Sequence, residues 1–204
     1  MKRMIVAAAL SLPSLAPPGA MDMRGVPPTG LYQETVSLEP EKAPREYIPD
    51  RERLSPNYRK GRDGQKVDLI VIHTTEGSGA GAEEWLANPV SEVSCHYLVL
   101  EDGKAVRMVR EEDTAWHARG YNPRSIGIEF AGYHDKRLSD VQIRGGEEIL
   151  EYLLKKYSLQ EEAIKPHSEL DPGRRRDPGE ENLKLLLEAV DVEQPAQAPE
   201  RGKQ

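Results

Sequence analysis

The chain has 204 residues, a formal net charge of −7 and 37% hydrophobic residues, which suffices for one domain of ordinary size with terminal extensions. The acidic balance argues against a general nucleic-acid binder, because such proteins usually present a basic face. The single cysteine, Cys95, excludes an internal disulfide and a cysteine-rich zinc site, so any metal ligands have to be histidines or carboxylates.

Residues 1–20 have the layout of a secretory signal. Lys2 and Arg3 precede an apolar stretch from Met4 to about Ala16, and this stretch is shorter than the ~20 residues of a spanning helix. The pattern predicts a signal peptide, and hence an exported, periplasmic or extracellular protein with no integral membrane segment after signal removal. A disordered cytosolic leader, and so a cytoplasmic protein, is the alternative.

Two further stretches lie outside the predicted core. Residues 21–64 are rich in Pro, Glu and Arg and have no sustained apolar period, which predicts a linker or a strap over the domain. Residues 191–204 are polar and contain proline, which predicts a disordered tail. Apolar residues concentrate between these stretches, so residues 65–190 are the predicted domain.

Apolar runs and turn signals within that domain predict strands alternating with helices. Strands are predicted at 67–72, 93–100, 105–109 and 125–132, with a hairpin turn at 101–104. Helices are predicted at 82–87, 140–157 and 182–190, and two glycines at 145–146 are expected to weaken the first half of the second helix. The predicted fold class is α/β, a single domain with a central mixed β-sheet flanked by helices.

Two histidines stand where a metal site is expected. His73 follows an apolar strand and precedes a glycine-containing loop, and His167 lies on a carboxylate-containing loop, residues 166–179, with two Pro-Gly turns. Neutral imidazoles and a carboxylate are the ligand types of a catalytic zinc, which keeps a fourth position open. The residues therefore predict a zinc centre, and the alternative is a polar strand end beside a surface turn.

Five short motifs in a fixed order carry a family resemblance over residues 68–179. They are His-Thr-Thr-Glu-Gly at 73–77, Val-Ser-Cys-His-Tyr at 93–97, Ala-Trp-His-Ala at 115–118, Ser-Ile-Gly-Ile-Glu at 125–129 and the loop at 167–179. This order resembles the type 2 N-acetylmuramoyl-L-alanine amidases, whose superfamily also contains peptidoglycan recognition proteins and phage amidases. The resemblance implies that His73, His167 and Asp177 bind Zn²⁺.

The resemblance also implies the catalytic residues. Glu129 stands in the place of the general base, which takes a proton from water and passes it to the leaving amine. Cys95 stands where the phage branch has a tyrosine, so Glu129 is expected to act without that partner. Arg175 stands two residues before Asp177, where the family usually has a lysine that stabilises the oxyanion. An arginine can donate there, but its planar fork does not replace an ammonium group, which puts turnover and substrate preference in question.

Two other histidines are candidate substrate-binding residues. His117 beside Trp116 is a candidate because such pairs can line sugar grooves, and loop packing is its alternative. His96 is the second candidate, although its position inside an apolar run favours a hydrogen-bonded structural histidine.

The expected function is zinc-dependent hydrolysis of the amide bond between N-acetylmuramic acid and L-alanine. Peptidoglycan or a muropeptide is then the binding partner. A non-catalytic peptidoglycan-binding module is one alternative, and a zinc hydrolase for another peptide or amide is a second. The sequence does not indicate an oligomeric state.

Overall fold

A six-stranded sheet forms the interior of the protein. The computed structural model describes residues 47–190, and this part of the chain contains eight strands: β1 (Arg51–Glu52), β2 (Tyr58–Arg59), β3 (Leu69–Thr74), β4 (Tyr97–Val99), β5 (Ala105–Arg107), β6 (Thr114–Ala115), β7 (Ser125–Phe130) and β8 (Ile164–Pro166). The predicted signal peptide at 1–20, the first part of the predicted linker and the predicted tail at 191–204 lie outside the described residues.

Four α-helices and three short 3-10 helices lie in the same part of the chain. They are α1 (Gly79–Leu86), α2 (Asp140–Tyr157), α3 (His167–Leu170) and α4 (Glu180–Ala189), and the 3-10 helices Pro89–Ser91, Asn122–Arg124 and Glu161–Ala163. The helices predicted at 82–87, 140–157 and 182–190 correspond to α1, α2 and α4. Between residues 47 and 190, no helix has the length and apolar character needed to cross a membrane.

The strand order in the large sheet is β1-β5-β4-β7-β3-β8. Only the β5 and β4 pair is antiparallel, and the other four pairs are parallel. The prediction of a mixed sheet flanked by helices is therefore confirmed. β1 and β2 lie in the segment predicted as a linker or strap, yet β1 pairs with β5 and β2 pairs with β6.

Alternation along β3 places its side chains in two different packing layers. Ile70 and Ile72 belong to the large core that contains residues of α2 and α4, whereas Leu69 and Val71 pack against Ala118 on the other face. Because side chains alternate with a period of two, the residue after Ile72 continues the second face. The chain thus directs His73 away from the large core and towards the loop that contains residue 118.

Helix α2 is continuous despite its two glycines. Ser139 and Gln142 form a capping box at its start, an arrangement that satisfies two backbone N–H groups otherwise left unpaired. An ideal Cβ on Gly146 would lie 2.6 Å from Phe130 Cζ, and one on Gly145 would lie 2.2 Å from the Gly103 carbonyl oxygen. The glycines therefore allow the helix to approach the sheet closely, which offsets their low helix propensity.

The second predicted strand is shorter than expected. The prediction covered residues 93–100, and β4 includes only Tyr97–Val99. Met108 N and Val109 N both approach His96 O, at 2.9 and 3.4 Å, and this shared acceptor interrupts the regular ladder. Residues 94–96 are held instead by individual hydrogen bonds to a loop and to β7.

Candidate metal centre

The carboxyl ends of three parallel strands meet at one edge of the sheet. His73 pairs in register with Glu129 of β7, so the two residues lie on adjacent strands, about 4.8 Å apart. Ile72 pairs with Pro166 of β8, and His167 follows directly as the first residue of α3. The order β7-β3-β8 therefore brings together two histidines and a glutamate that are far apart in sequence.

His73, His167 and Asp177 form a compact cluster. His73 Nδ1 lies 2.9 Å from His167 Nδ1 and 3.1 Å from Asp177 Oδ2. The distance from His167 Nδ1 to Asp177 Oδ2 is 3.0 Å, so the three atoms form a triangle. All three residues are buried, with exposed fractions of 2%, 5% and 7%. The structure thus brings together the three residues that were predicted to be metal ligands, and within residues 47–190 no other group of this kind is present.

This triangle fits a tetrahedral metal ion. Zinc bound to nitrogen at ~2.0–2.1 Å places neighbouring ligand atoms about 3.3 Å apart, close to the observed separations. The donor chemistry agrees, because two imidazole nitrogens and one carboxylate oxygen are common zinc ligands. A bound cation would accept lone pairs from all three atoms at once.

The protonation states suit metal binding. Burial lowers the pKa of His73 to about 4, Asp177 opposes this shift through its hydrogen bond, and His167 adds to it by repulsion. Burial alone raises the pKa of Asp177, but hydrogen bonds from His167 and His73 outweigh it and bring that pKa well below its usual value. At neutral pH His73 is neutral and Asp177 is ionised, which are the forms that coordinate a metal.

Glu129 has an unsatisfied oxygen beside the cluster. Its Oε2 is buried and has no hydrogen-bond partner, although the residue as a whole is partly exposed to the cleft. Burial, followed by repulsion from Asp177, raises the pKa of Glu129 to about 8, and the charge of Arg175 opposes this shift. An orphaned carboxylate oxygen in a cleft is an expected position for a water or substrate proton.

A cleft of about 290 Å³ opens over the cluster, which is near the lower end for a small-ligand site. Arg175 is exposed and lines this cleft. The other lining residues are Thr74, Thr75, Glu76, Ala82, Trp85, Leu86, Val93, Ser94, Trp116 and His117 together with Glu129 and the three cluster residues. The lining thus combines apolar and aromatic side chains, which include Trp85 and Trp116, with the ionisable groups of Glu129 and the cluster.

The two candidate substrate histidines lie in different places. His117 lines the cleft, but both of its ring nitrogens already have protein partners, His73 Nε2 and Ser125 Oγ, at 3.1 Å each. His96 is completely buried and does not line the cleft. Its Nδ1 accepts from Gly127 N–H at 3.0 Å, and burial lowers its pKa to about 3. The geometry therefore favours the structural alternative for His96.

Three cleft residues were not predicted from the sequence. Glu76 adopts a left-handed backbone (φ 52°) that few non-glycine residues adopt, and its Oε1 accepts from Thr74 Oγ1 at 2.8 Å and from the His134 backbone N–H at 3.0 Å. In the sequence, its position directly before Gly77 was the one feature that could have indicated a turn at Glu76. Trp85 is 52% exposed on α1, and Ser94 lies near Trp116, but nothing in the local sequence distinguishes them from packing residues.

Cys95 is fully buried and reduced, and it packs with Leu98, Val106 and Met108. Burial raises the pKa of its thiol well above the usual value, with repulsion from Glu129 as the second cause. The residue is therefore a small apolar neighbour of the strand that carries Glu129.

A buried cluster of two histidines and an aspartate at the end of a mixed sheet, with a free carboxylate beside it, is the arrangement of metal-dependent hydrolases. The sequence model of the Amidase_2 family, described as N-acetylmuramoyl-L-alanine amidase, matches residues 63–180, more than half of the chain. The protein therefore belongs to the N-acetylmuramoyl-L-alanine amidase family.

Individual relatives agree with this membership. N-acetylmuramoyl-L-alanine amidase A of Achromobacter lyticus is 42% identical over 87 residues, 42% of this chain and 46% of that protein, so the match spans about half of the relative. The 1,6-anhydro-N-acetylmuramyl-L-alanine amidase AmpD of Salmonella typhimurium is 28% identical over 151 residues, 61% of this chain and 81% of the relative. A crystal structure of a selenomethionine AmpD derivative has the same fold, with a TM-score of 0.62 at 24% identity, covering 72% and 97% of the two chains.

Proposed function

We propose that this protein is a zinc-dependent hydrolase of the amide bond between N-acetylmuramic acid and L-alanine, in peptidoglycan or its fragments. The observation that carries the proposal is the convergence of three metal-ligand atoms within 2.9–3.1 Å, beside the unpartnered Oε2 of Glu129. Family membership supports the choice of substrate.

The proposed zinc ligands are His73 Nδ1, His167 Nδ1 and Asp177 Oδ2. These two imidazoles and one carboxylate would hold a zinc ion with a formal net charge of about +1, so that the ion would remain a good Lewis acid. When bound there, zinc would supply Lewis acidity: it would polarise the scissile carbonyl and lower the pKa of water towards ~7.

Glu129 is the proposed general base. In the forward step its carboxylate accepts a proton from the attacking water, whose oxygen joins the carbonyl carbon of the lactyl group. The protonated Glu129 then donates this proton to the nitrogen of L-alanine as the C–N bond breaks. A cation held by His73, His167 and Asp177 would oppose the repulsion from Asp177 and so lower the pKa of Glu129 from about 8 towards neutrality, where one group can serve as base and then as acid.

Arg175 is the proposed donor to the oxyanion. Its guanidinium lies on the rim of the cleft, and its backbone is fixed by a 3.1 Å hydrogen bond from Arg175 N to Asp171 O. The adjacent Arg174 pairs with Asp171 at 3.6 Å. Among the three consecutive arginines of this loop, only Arg175 lines the cleft, which supports a role in which its charge and hydrogen bonds stabilise the oxyanion.

The proposed substrate-contact surface is the apolar wall that contains Trp85 and Trp116. Aromatic rings beside a polar floor suit a sugar ring and a short peptide, which present apolar faces and several hydrogen-bonding groups. The name of the AmpD relative specifies an anhydro sugar, so we include 1,6-anhydro fragments among the substrates to be compared.

The function is tested by incubating the zinc-loaded protein with N-acetylmuramyl-peptide, its 1,6-anhydro form and intact sacculi, and measuring products by mass spectrometry. The expected products are the intact stem peptide with a free L-alanine amino group and the peptide-free sugar or glycan. Chelated protein and a Glu129→Gln variant are the controls. Tight binding of the substrates without product, in a sample that contains zinc, would instead identify a non-catalytic binding module.

We also propose that the protein is exported. Support comes from Lys2, Arg3 and the apolar stretch after them, which are typical of a signal peptide. Export places the activity at the cell wall, whereas a cytoplasmic protein would act on wall fragments. Fractionation of cells that express the full chain and a form lacking residues 2–20 tests this proposal, because only the full chain is expected outside the cytoplasm, in a shortened form.

A further inference from the structure

The second ring nitrogen of His73 has its own partner. While Nδ1 belongs to the ligand cluster, Nε2 lies 3.1 Å from Nδ1 of His117. The two rings are perpendicular, with centroids 5.2 Å apart and an interplanar angle of 90°. An imidazole that binds a metal through one nitrogen carries its proton on the other, so Nε2 of His73 needs an acceptor.

The hydrogen bonds beyond His117 determine where the protons are. Ser125 Oγ lies 2.9 Å from the carbonyl oxygen of Tyr121, which can only accept, so the hydroxyl proton points there. The same Oγ lies 3.1 Å from His117 Nε2, and it must therefore accept from an Nε2–H. A neutral His117 then has a bare Nδ1, which accepts from His73 Nε2–H and leaves the lone pair of His73 Nδ1 directed at the cluster.

Strand β7 is built to hold the His117 ring in this position. An ideal Cβ on Gly127 would lie 2.5 Å from both Cγ and Nδ1 of His117, so the ring lies directly against the glycine backbone. Ser125, Gly127 and Glu129 follow one another at a period of two and share one face of the strand. On this face, Ser125 provides a hydroxyl acceptor, Gly127 leaves space for the His117 ring and Glu129 is the proposed base.

The loop that carries His117 is also fixed. Asn122 Oδ1 accepts from the backbone N–H groups of His117 and Ala118, at 3.0 and 2.7 Å. Backbone and ring are thus both restrained, which is the condition for an outer residue to orient a metal ligand.

We propose that His117 is a positioning residue: through the chain His73 Nε2–H to His117 Nδ1 and His117 Nε2–H to Ser125 Oγ, it holds His73 in the tautomer that binds metal through Nδ1. The inference rests on the proposed metal site. It assigns His117 a role other than direct substrate contact, because both ring nitrogens are occupied. Removal of such an outer-shell partner typically lowers metal affinity ~10–100-fold.

The first test uses the unmodified, zinc-loaded protein. The chain contains five histidines, so ¹⁵N-histidine NMR can assign each ring. We expect His73 and His117 to be protonated at Nε2 only. A proton on Nδ1 of His117 would reverse the proposed chain and overturn the inference, and this result does not depend on the folding of any variant.

The second test measures zinc affinity by competition with a chromophoric chelator. We expect His117→Leu to bind zinc about 10–100-fold more weakly. His117→Asn should recover most of the affinity, because its amide oxygen can replace Nδ1 as acceptor. Ser125→Ala, which leaves the ring in place but frees its tautomer, is expected to fall between these. His134→Asn is the matched control, since His134 pairs with Glu76 at 2.9 Å and is not a member of the cluster.

Three outcomes separate this inference from the proposed function. Equal zinc affinity in the wild type, His117→Leu and His117→Asn overturns the positioning role, whatever the enzymatic activity. Zinc binding that follows the expected order, together with no amide cleavage by the wild type, supports the positioning role and contradicts the proposed reaction. A wild-type chain that binds no zinc contradicts both. Thermal unfolding of the metal-free variants shows whether any loss of affinity comes from a loss of fold.

Discussion

Replacement of Glu129 by glutamine should have opposite effects on stability and on turnover. The carboxylate is partly desolvated and is repelled by Asp177, so the folded, metal-free protein favours its protonated form. Glutamine has the same shape and no charge. It removes the repulsion at high pH, and it also removes the group that we propose transfers the proton.

The size and sign of the stability effect follow from linkage. The pKa of Glu129 rises from 4.5 in the unfolded chain to about 8 in the folded one, so the folded state binds the proton more tightly. Below pH 4.5 the group is protonated in both states and does not lower the free energy of unfolding. Between pH 4.5 and 8 the free energy of unfolding falls as pH rises. The full shift corresponds to ~5 kcal/mol at most. Water at the cleft screens the charge, so we expect a difference of about 2 kcal/mol.

Urea unfolding of the wild type and Glu129→Gln, both in the presence of a chelator at pH 5 and pH 8, measures this effect. From pH 5 to pH 8 the free energy of unfolding of the variant should rise by about 2 kcal/mol relative to that of the wild type. The other titrating groups are common to both proteins, so this difference reports on Glu129 alone. In the zinc-loaded state, turnover should fall ~10²–10⁴-fold. A stability difference that does not change with pH would refute the assigned environment of Glu129.

Three further predictions concern other parts of the structure. Arg175→Ala should lower kcat about 100-fold with zinc content unchanged, whereas Arg175→Lys should retain activity, as measured on a soluble muropeptide; equal loss in both would argue against a role as charged donor. Asp177→Asn should lower zinc affinity by more than the ~100-fold expected for loss of an outer-shell partner, and dialysis should therefore remove its zinc. Added zinc should restore the activity of the chelated wild type and not that of the variant. Gly146→Val should lower the free energy of unfolding by ~1–3 kcal/mol, because its Cβ would lie 2.6 Å from Phe130 Cζ; unchanged thermal unfolding would contradict the close helix-sheet approach.

Sequence patterns predicted the elements that have a strong local signal. β3 and β7 are apolar and rich in β-branched residues, and α2 begins at a capping box, so their existence and type could be predicted. Local signals do not specify which strands become neighbours. The pairing of β3 with β8, which brings His167 beside His73, depends on packing across 94 residues of sequence. The residue types indicated a zinc centre with His73 and His167, but Asp177 was identified as the third ligand only through the family resemblance.

The roles of the other histidines were harder to predict. His96 and His117 both lie beside apolar or aromatic residues, and alternation alone does not separate an interior position from a cleft position. The difference arises from Gly127, whose backbone N–H binds His96 and whose missing side chain makes room for His117. A glycine in a buried strand is a signal of close approach, but the sequence does not say which group approaches.

The most direct test of the central claim is cleavage of a muropeptide in H₂¹⁸O by the zinc-loaded protein, with mass analysis of both products. Hydrolysis at the proposed bond places the oxygen of water on the lactyl carbonyl carbon, so one ¹⁸O atom should appear in the carboxyl group of the N-acetylmuramic acid product. The released stem peptide should carry an unlabelled, free L-alanine amino terminus. Label in a peptide carboxyl group, or no labelled product from a sample that contains zinc, would contradict the assignment of this site as the amidase centre.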